Sequence, residues 1–185
     1  MATASDFTAL LSASRGGDQA AWSRLVLLIY GDLRRLARRR AGVDAIPTTL
    51  GTTGLVHECY LRLAGSPQHQ IEDRGHFFNL ASRIMRQILC DYARRSLRAK
   101  RGGGLEHDDV DEVDAAQQGE IENLVALDDL LGRLDAENPA WAKAFECRFF
   151  AGLNDEETAE AMAVPLRTAQ RSWHDAREWL AQHMR

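Results

Sequence analysis

Apolar residues along this chain recur at intervals of three and four and almost nowhere at two, which predicts helices and no sheet. Trp22, Leu25, Val26, Ile29, Leu33 and Leu36 mark one face of a helix over residues 18–42, with Asp18 as its N-cap. After a break at Pro47, Leu55, Val56, Cys59, Tyr60 and Leu63 line a second helix that stops at Gly65-Ser66-Pro67. A third runs over residues 74–98. Its buried stripe is Phe77, Ala81, Ile84, Ile88 and Tyr92, and Arg83, Arg86, Gln87 and Arg94 fall on the opposite side. Gly102-Gly103-Gly104 ends it, and the chain to about residue 119 has the low hydrophobicity and high charge of a flexible linker.

Four more helices are expected from Ile121 onward. The last two are the most legible. Asn154 followed by Glu157 forms an approximate capping box for a short helix to about Met162. A longer helix begins near Pro165, whose fixed φ suits a first turn. Short helix, tight turn and longer helix make a helix-turn-helix pattern. The longer helix puts Arg167, Gln170, Arg171 and His174 on one side and Ala169, Trp173, Ala176 and Leu180 on the other. Arg and Gln can bond base edges, and they lie in the N-terminal turns, the part of a recognition helix that enters a major groove.

Composition changes this picture only where charge is concerned. The 185 residues are 45% hydrophobic and 27% charged, enough for one or two small cores. A formal net charge of -4 argues against a protein that grips nucleic acid unaided. The charge is uneven, however. Residues 83–101 hold seven basic side chains against the single acid Asp91, and residues 106–122 hold eight acids and no Lys or Arg. No apolar run approaches the roughly 20 residues of a membrane span, and residues 1–11 lack a basic start and apolar middle. A cytoplasmic protein without membrane insertion is expected.

Catalytic chemistry finds little support. His57-Glu58 does not complete HExxH, and no phosphate loop or GxSxG elbow occurs. Cys59, Cys90 and Cys147 are far apart with no CxxC pair, and read as small buried hydrophobes. The expectation is a non-enzymatic protein with no metal and no cofactor. By the residues alone, a helix-turn-helix transcriptional regulator that binds duplex DNA on its own stays open as an alternative.

In their order, the stretches DLRRLARRR, GLVHECYLRL and HFFNLASRIMRQILCDYARRSLRAKRGGG, the acidic linker and the final helix-turn-helix resemble bacterial extracytoplasmic-function (ECF) sigma factors, over roughly residues 22–184. The resemblance implies an all-α fold of two small helical domains, residues 1–101 and 121–185, joined by an acidic flexible linker at 102–120. It implies a sigma factor that binds core RNA polymerase and directs promoter-specific initiation. The helix around residues 55–63 resembles the surface that docks on the clamp of the largest polymerase subunit, making Val56, Glu58, Tyr60 and Arg62 candidate contacts. Arg83, Arg86, Gln87, Arg94 and Arg95 are then candidates for the −10 element, and Arg167, Thr168, Gln170, Arg171 and His174 for the −35 element.

Two departures from the family pattern matter. Ala163 and Pro165 stand where the family usually has a turn glycine and a Ser or Thr cap. Positive φ at Ala163 would cost about 1 kcal/mol and the missing hydroxyl about another. Second, the acidic cluster that usually precedes the docking helix is replaced by Gly51-Thr52-Thr53-Gly54. A phosphate on Thr53 or Thr52 would bring a charge of about −1.5 to −2 to that position, suiting both the helix dipole and a basic partner. A Ser/Thr protein kinase is the third partner this implies, beside core polymerase and promoter DNA.

Overall fold

Eight α-helices and one π-helical turn make up the regular structure among the described residues, which are 4–41, 51–64, 71–101 and 115–184 of a computed structural model. They are α1 (Ala4–Arg15), α2 (Gln19–Ala41), α3 (Gly51–Ala64), α4 (Arg74–Arg101), α5 (Ala115–Glu137), α6 (Pro139–Phe145), the π-turn Glu146–Phe150, α7 (Asp155–Met162) and α8 (Leu166–His183). The all-α class expected from the spacing is what is found. The break at Pro47, the stop at Gly65-Ser66-Pro67, Gly102-Gly103-Gly104 and residues 102–114 of the linker lie outside the described residues. The helix α5 begins at Ala115, so the end of the stretch read as linker is helical.

Local signals explain where the helices start. The Asp18 carboxylate accepts from the Ala20 and Ala21 N–H groups at 2.9 and 3.0 Å, satisfying two donors that the first turn of α2 leaves free. Asn138 caps α6 by accepting from the Trp141 N–H at 3.2 Å, with Pro139 next in line. At α7 the Asn154 side chain accepts from the Glu157 N–H at 2.8 Å, and the Glu157 carboxylate accepts from the Asn154 N–H at 3.0 Å. That is the full reciprocal box.

The helix α1 was not anticipated. Phe7 and Leu11, one turn apart, are buried, and the Phe7 ring lies 5.5 Å from that of Phe77 on α4. The Arg15 guanidinium then bonds the Ile71 carbonyl at 2.6 Å, tying the end of α1 to the start of the α4 segment. Its sequence signal spans too few turns for periodicity to separate it from a loop.

The buried side chains form one continuous cluster through both halves of the chain, from Leu25, Leu36, Leu55 and Phe77 through Met85 and Leu89 to Leu131, Cys147 and Phe150. The helix α4 carries the seam, packing against α5, the π-turn and α7. Burying one Leu or Phe side chain stabilises by about 1.5–3 kcal/mol, so a seam of several such residues is a substantial contact. The fit is close at Gly75, where an added Cβ would lie 2.4 Å from the Glu160 carbonyl oxygen. All three cysteines are free and buried, and burial pushes their thiols up to about 12.

Candidate nucleic-acid interface

The turn between α7 and α8 is three residues long. Ala163 takes φ 55 and ψ 44, the left-handed conformation that an ordinary side chain resists. Its N–H and that of Val164 close the α7 end on the Glu160 and Ala159 carbonyls, both at 3.1 Å. Pro165 has φ −59 but ψ 147, so it is the cap of α8 rather than its first helical residue, and no side chain caps the helix there. The Thr168 and Ala169 N–H groups instead reach the Pro165 carbonyl at 2.9 and 3.2 Å.

The first turns of α8 are open. Arg167, Thr168, Gln170, Arg171 and His174 are all exposed, with Ala169, Ser172 and Ala176 turned inward. Gln170 donates to Asp155 at 2.9 Å, and Arg171 lies 3.7 Å from Asp175 while its side chain stays 83% exposed. Arg148 pairs with Asp155 and stacks 5.5 Å from the Trp173 ring, fixing the helix from below.

The arginines of α4 are held differently. Arg83, Gln87 and Arg95 are exposed. Arg86 and Arg94, expected opposite the buried stripe, are instead covered by α5: Asp128 accepts from Arg86 Nε at 2.7 Å and from Arg94 Nη2 at 2.6 Å. Arg86 also approaches Glu146 of the π-turn at 3.6 Å. The reason is positional. Arg86 lies one turn from both Ser82 and Cys90, which are 0% and 1% exposed, so the flank of α4 that carries it runs under a neighbour.

A second set of pairs locks α7 to the N-terminal helices. Arg35 and Arg39, one turn apart on α2, both donate to the Glu157 carboxylate, Arg39 at 2.7 Å. Arg74 pairs with Glu160 at 3.1 Å. Burial opposes charge on Asp128 and Glu157, but their bonds to the arginines, with the Asn154 N–H for Glu157, hold both carboxyls below the usual range. Burial instead pushes Glu146 and Glu160 up, and their arginines offset only part of that.

At the candidate docking helix, Glu58 and Arg62 pair at 2.7 Å and Tyr60 meets Tyr30 edge-on at 6.0 Å; all of them are partly exposed. Val56 is only 2% exposed, so it supports α3 from inside the core and is not a surface contact. Leu61 and Leu27, 54% and 74% exposed, lie off the buried stripes and had no signal beyond that offset. Thr52 is partly exposed and Thr53 exposed, and both border a cleft with Val56 and with Tyr30, Arg34 and Arg38 of α2.

No helix among the described residues is long and apolar enough to cross a membrane, and no group of His, Cys, Asp or Glu there is placed to hold a metal. No curated protein matches the chain. A helical protein with an open arginine-bearing helix after a tight turn, and a second arginine-rich helix ahead of it, agrees with a family model that matches residues 4–185, and on that match the chain belongs to the ECF sigma factor family.

Proposed function

We propose that this sigma factor reads the −35 element with the first turns of α8 and the −10 element with the arginine side of α4, and that phosphorylation of a threonine at the start of α3 strengthens its docking on polymerase. As an ECF sigma factor it binds core RNA polymerase and directs transcription initiation at promoter DNA. The exposed Arg167, Thr168, Gln170, Arg171 and His174 are the observation that supports the −35 assignment, since a recognition helix uses its first turns. Exposed Arg83, Gln87 and Arg95 support the −10 assignment, the arginines on phosphates and Gln87 on an unpaired base.

Arg86 and Arg94 join that surface once Asp128 gives way. Each half alone contacts few phosphates and the chain carries a net charge of -4, so the isolated protein binds DNA poorly. Held on polymerase, the two readers act at high effective concentration. Glu58, Tyr60 and Arg62, joined by exposed Leu61, supply the docking surface on α3.

The switch rests on the first turn of α3, which has no acid, and on exposed Thr53 beside partly exposed Thr52. A Ser/Thr kinase transfers the γ-phosphoryl group of ATP to the threonine Oγ; ADP leaves and the hydroxyl proton passes to solvent. Capture of core polymerase by the wild type with and without phosphate, by Thr52→Ala/Thr53→Ala and by Thr52→Glu/Thr53→Glu tests it. The phosphorylated wild type should bind most tightly and the glutamate variant in between. Equal capture by all four discards the switch.

A further inference from the structure

Four arginines near the end of α2 are divided by helical spacing. Arg35 and Arg39 are both committed to Glu157. Arg34 and Arg38, also one turn apart, lie on the next stripe with Tyr30; both are exposed, and neither makes an ion pair among the described residues. They face a cleft whose other wall is Thr52, Thr53 and Val56. Its lining among the described residues therefore contains two guanidiniums and three hydroxyls, those of Tyr30, Thr52 and Thr53, with no carboxylate. Like charges one turn apart on a helix repel by a few tenths of a kcal/mol. Each guanidinium also offers five N–H donors in a planar fork suited to an oxyanion.

We infer that Arg34 and Arg38 form a receptor, within the same chain, for a phosphate carried by Thr52 or Thr53. The inference rests on the phosphothreonine reading above and adds what the phosphate touches. Two guanidiniums carry +2, and a phosphate brings about −1.5 to −2, so the cleft becomes nearly neutral and α2 is tied to α3 by bidentate bonds. Before modification the cleft is positive, the wrong sign for a basic polymerase clamp. Phosphorylation thus acts by removing that repulsion. A carboxylate at the same position is a poorer ligand because it is singly charged and has one fewer oxygen to share between two forks.

The test uses the full chain with phosphothreonine placed genetically at position 53 or 52, in the wild type, in Arg34→Gln/Arg38→Gln and in Arg34→Lys/Arg38→Lys. Phosphorus NMR follows the second ionisation of the phosphate against pH. In one of the two wild-type phosphoproteins it should fall from about 6 to about 5. It should return to about 6 in the Gln variant, and lie between the two in the Lys variant, which keeps the charge but loses the fork. Because Arg34 and Arg38 are exposed, the variants should keep the wild-type circular dichroism and melting point. The same ionisation in wild type and Gln variant, at both threonine positions, overturns the receptor even if phosphorylation still improves polymerase capture. Equal capture with and without phosphate, together with an arginine-dependent ionisation, overturns the switch and leaves the receptor standing.

Discussion

The two arginine-bearing helices, α4 and α8, look alike as sequence and differ in the folded chain. Each alternates an apolar stripe with a face of Arg and Gln. On α8 that face is open, with Arg171 83% exposed. On α4 two of the four arginines named for DNA are held by one carboxylate, Asp128, which is itself only 13% exposed. A polar face shows that a helix side tolerates charge; it does not show whether solvent or another segment supplies the countercharge. The two proposed readers are thus unequally open in the free chain.

Glu157 should matter most. It caps α7 and receives both Arg35 and Arg39 with a side chain 6% exposed. Glu157→Ala removes half of the capping box and takes the carboxylate from Arg39, while Arg35 keeps only Asp32 at 3.0 Å. We expect a loss of about 3 kcal/mol in urea unfolding, from the cap at about 1 and the two lost pairs to a buried carboxylate at about 2. A loss under about 1 kcal/mol would mean that α7 is not held by α2 in solution.

Gly75→Ala comes next, and its sign is informative. Alanine favours a helix over glycine by up to about 1 kcal/mol, so with an open seam the change is neutral or stabilising. In the packed seam the new methyl meets the Glu160 carbonyl oxygen at 2.4 Å, backbone that moves only if α7 moves. Overpacking of this kind costs typically about 1–3 kcal/mol. The expected net effect is a loss of about 2 kcal/mol and a larger radius of gyration by small-angle scattering.

Both sites show where the sequence was informative. The Asn154–Glu157 box, the start of α2 at Asp18 and the turn at Ala163 depend on residues within four positions of each other, and spacing reveals them. The partners of Glu157 are 118 and 122 residues away, and no local rule reaches that far. A weaker signal existed for Asp128. It follows Leu124 and Leu127 and precedes Leu131, each 6% exposed or less, so it sits on an apolar stripe where a lone acid needs a buried cation. Arg86, between buried Ser82 and Cys90, carries the matching signal. Read together, these two misplaced charges would have predicted the contact between halves. Arg34, Arg35, Arg38 and Arg39, by contrast, all suit the last turns of α2 as cations, and nothing local separates the pair bound to Glu157 from the other two.

Asp128→Asn isolates the contrast between the two helices with little change in shape. It should cost about 1–2 kcal/mol in stability and free Arg86 and Arg94 for phosphate. Binding of the isolated chain to a −10 single strand should rise, and its salt dependence should steepen by about two contacts, a slope change of about −1.4. A −35 duplex should bind as before. The same carboxylate sets an acid response. Asp128 and Glu157 have folded values below their unfolded ones, so their stabilisation is complete above about pH 4 and is lost as pH falls through the lowered folded values. Glu146 and Glu160, raised by burial, have the opposite sign: their contribution is present below the unfolded value and lost as pH rises through the folded one. Asp128→Asn should therefore flatten the acid limb of the stability curve, and an unchanged limb would remove Asp128 from the seam.

The smallest effect is expected at the open reader. Ala163 holds φ 55, which costs a non-glycine residue about 1–2 kcal/mol. Glycine removes that strain but adds about 0.4–1 kcal/mol of freedom to the unfolded chain. The difference favours Ala163→Gly by about 0.5 kcal/mol, a rise of roughly 1–2 °C in a chain of this size. Since the two N–H bonds that close α7 come from backbone, and the base-reading candidates begin four residues later at Arg167, −35 duplex affinity should stay within twofold. A larger gain in stability with a loss of affinity would show that the alanine strain sets the angle at which α8 is presented, and the turn would then belong with the reader.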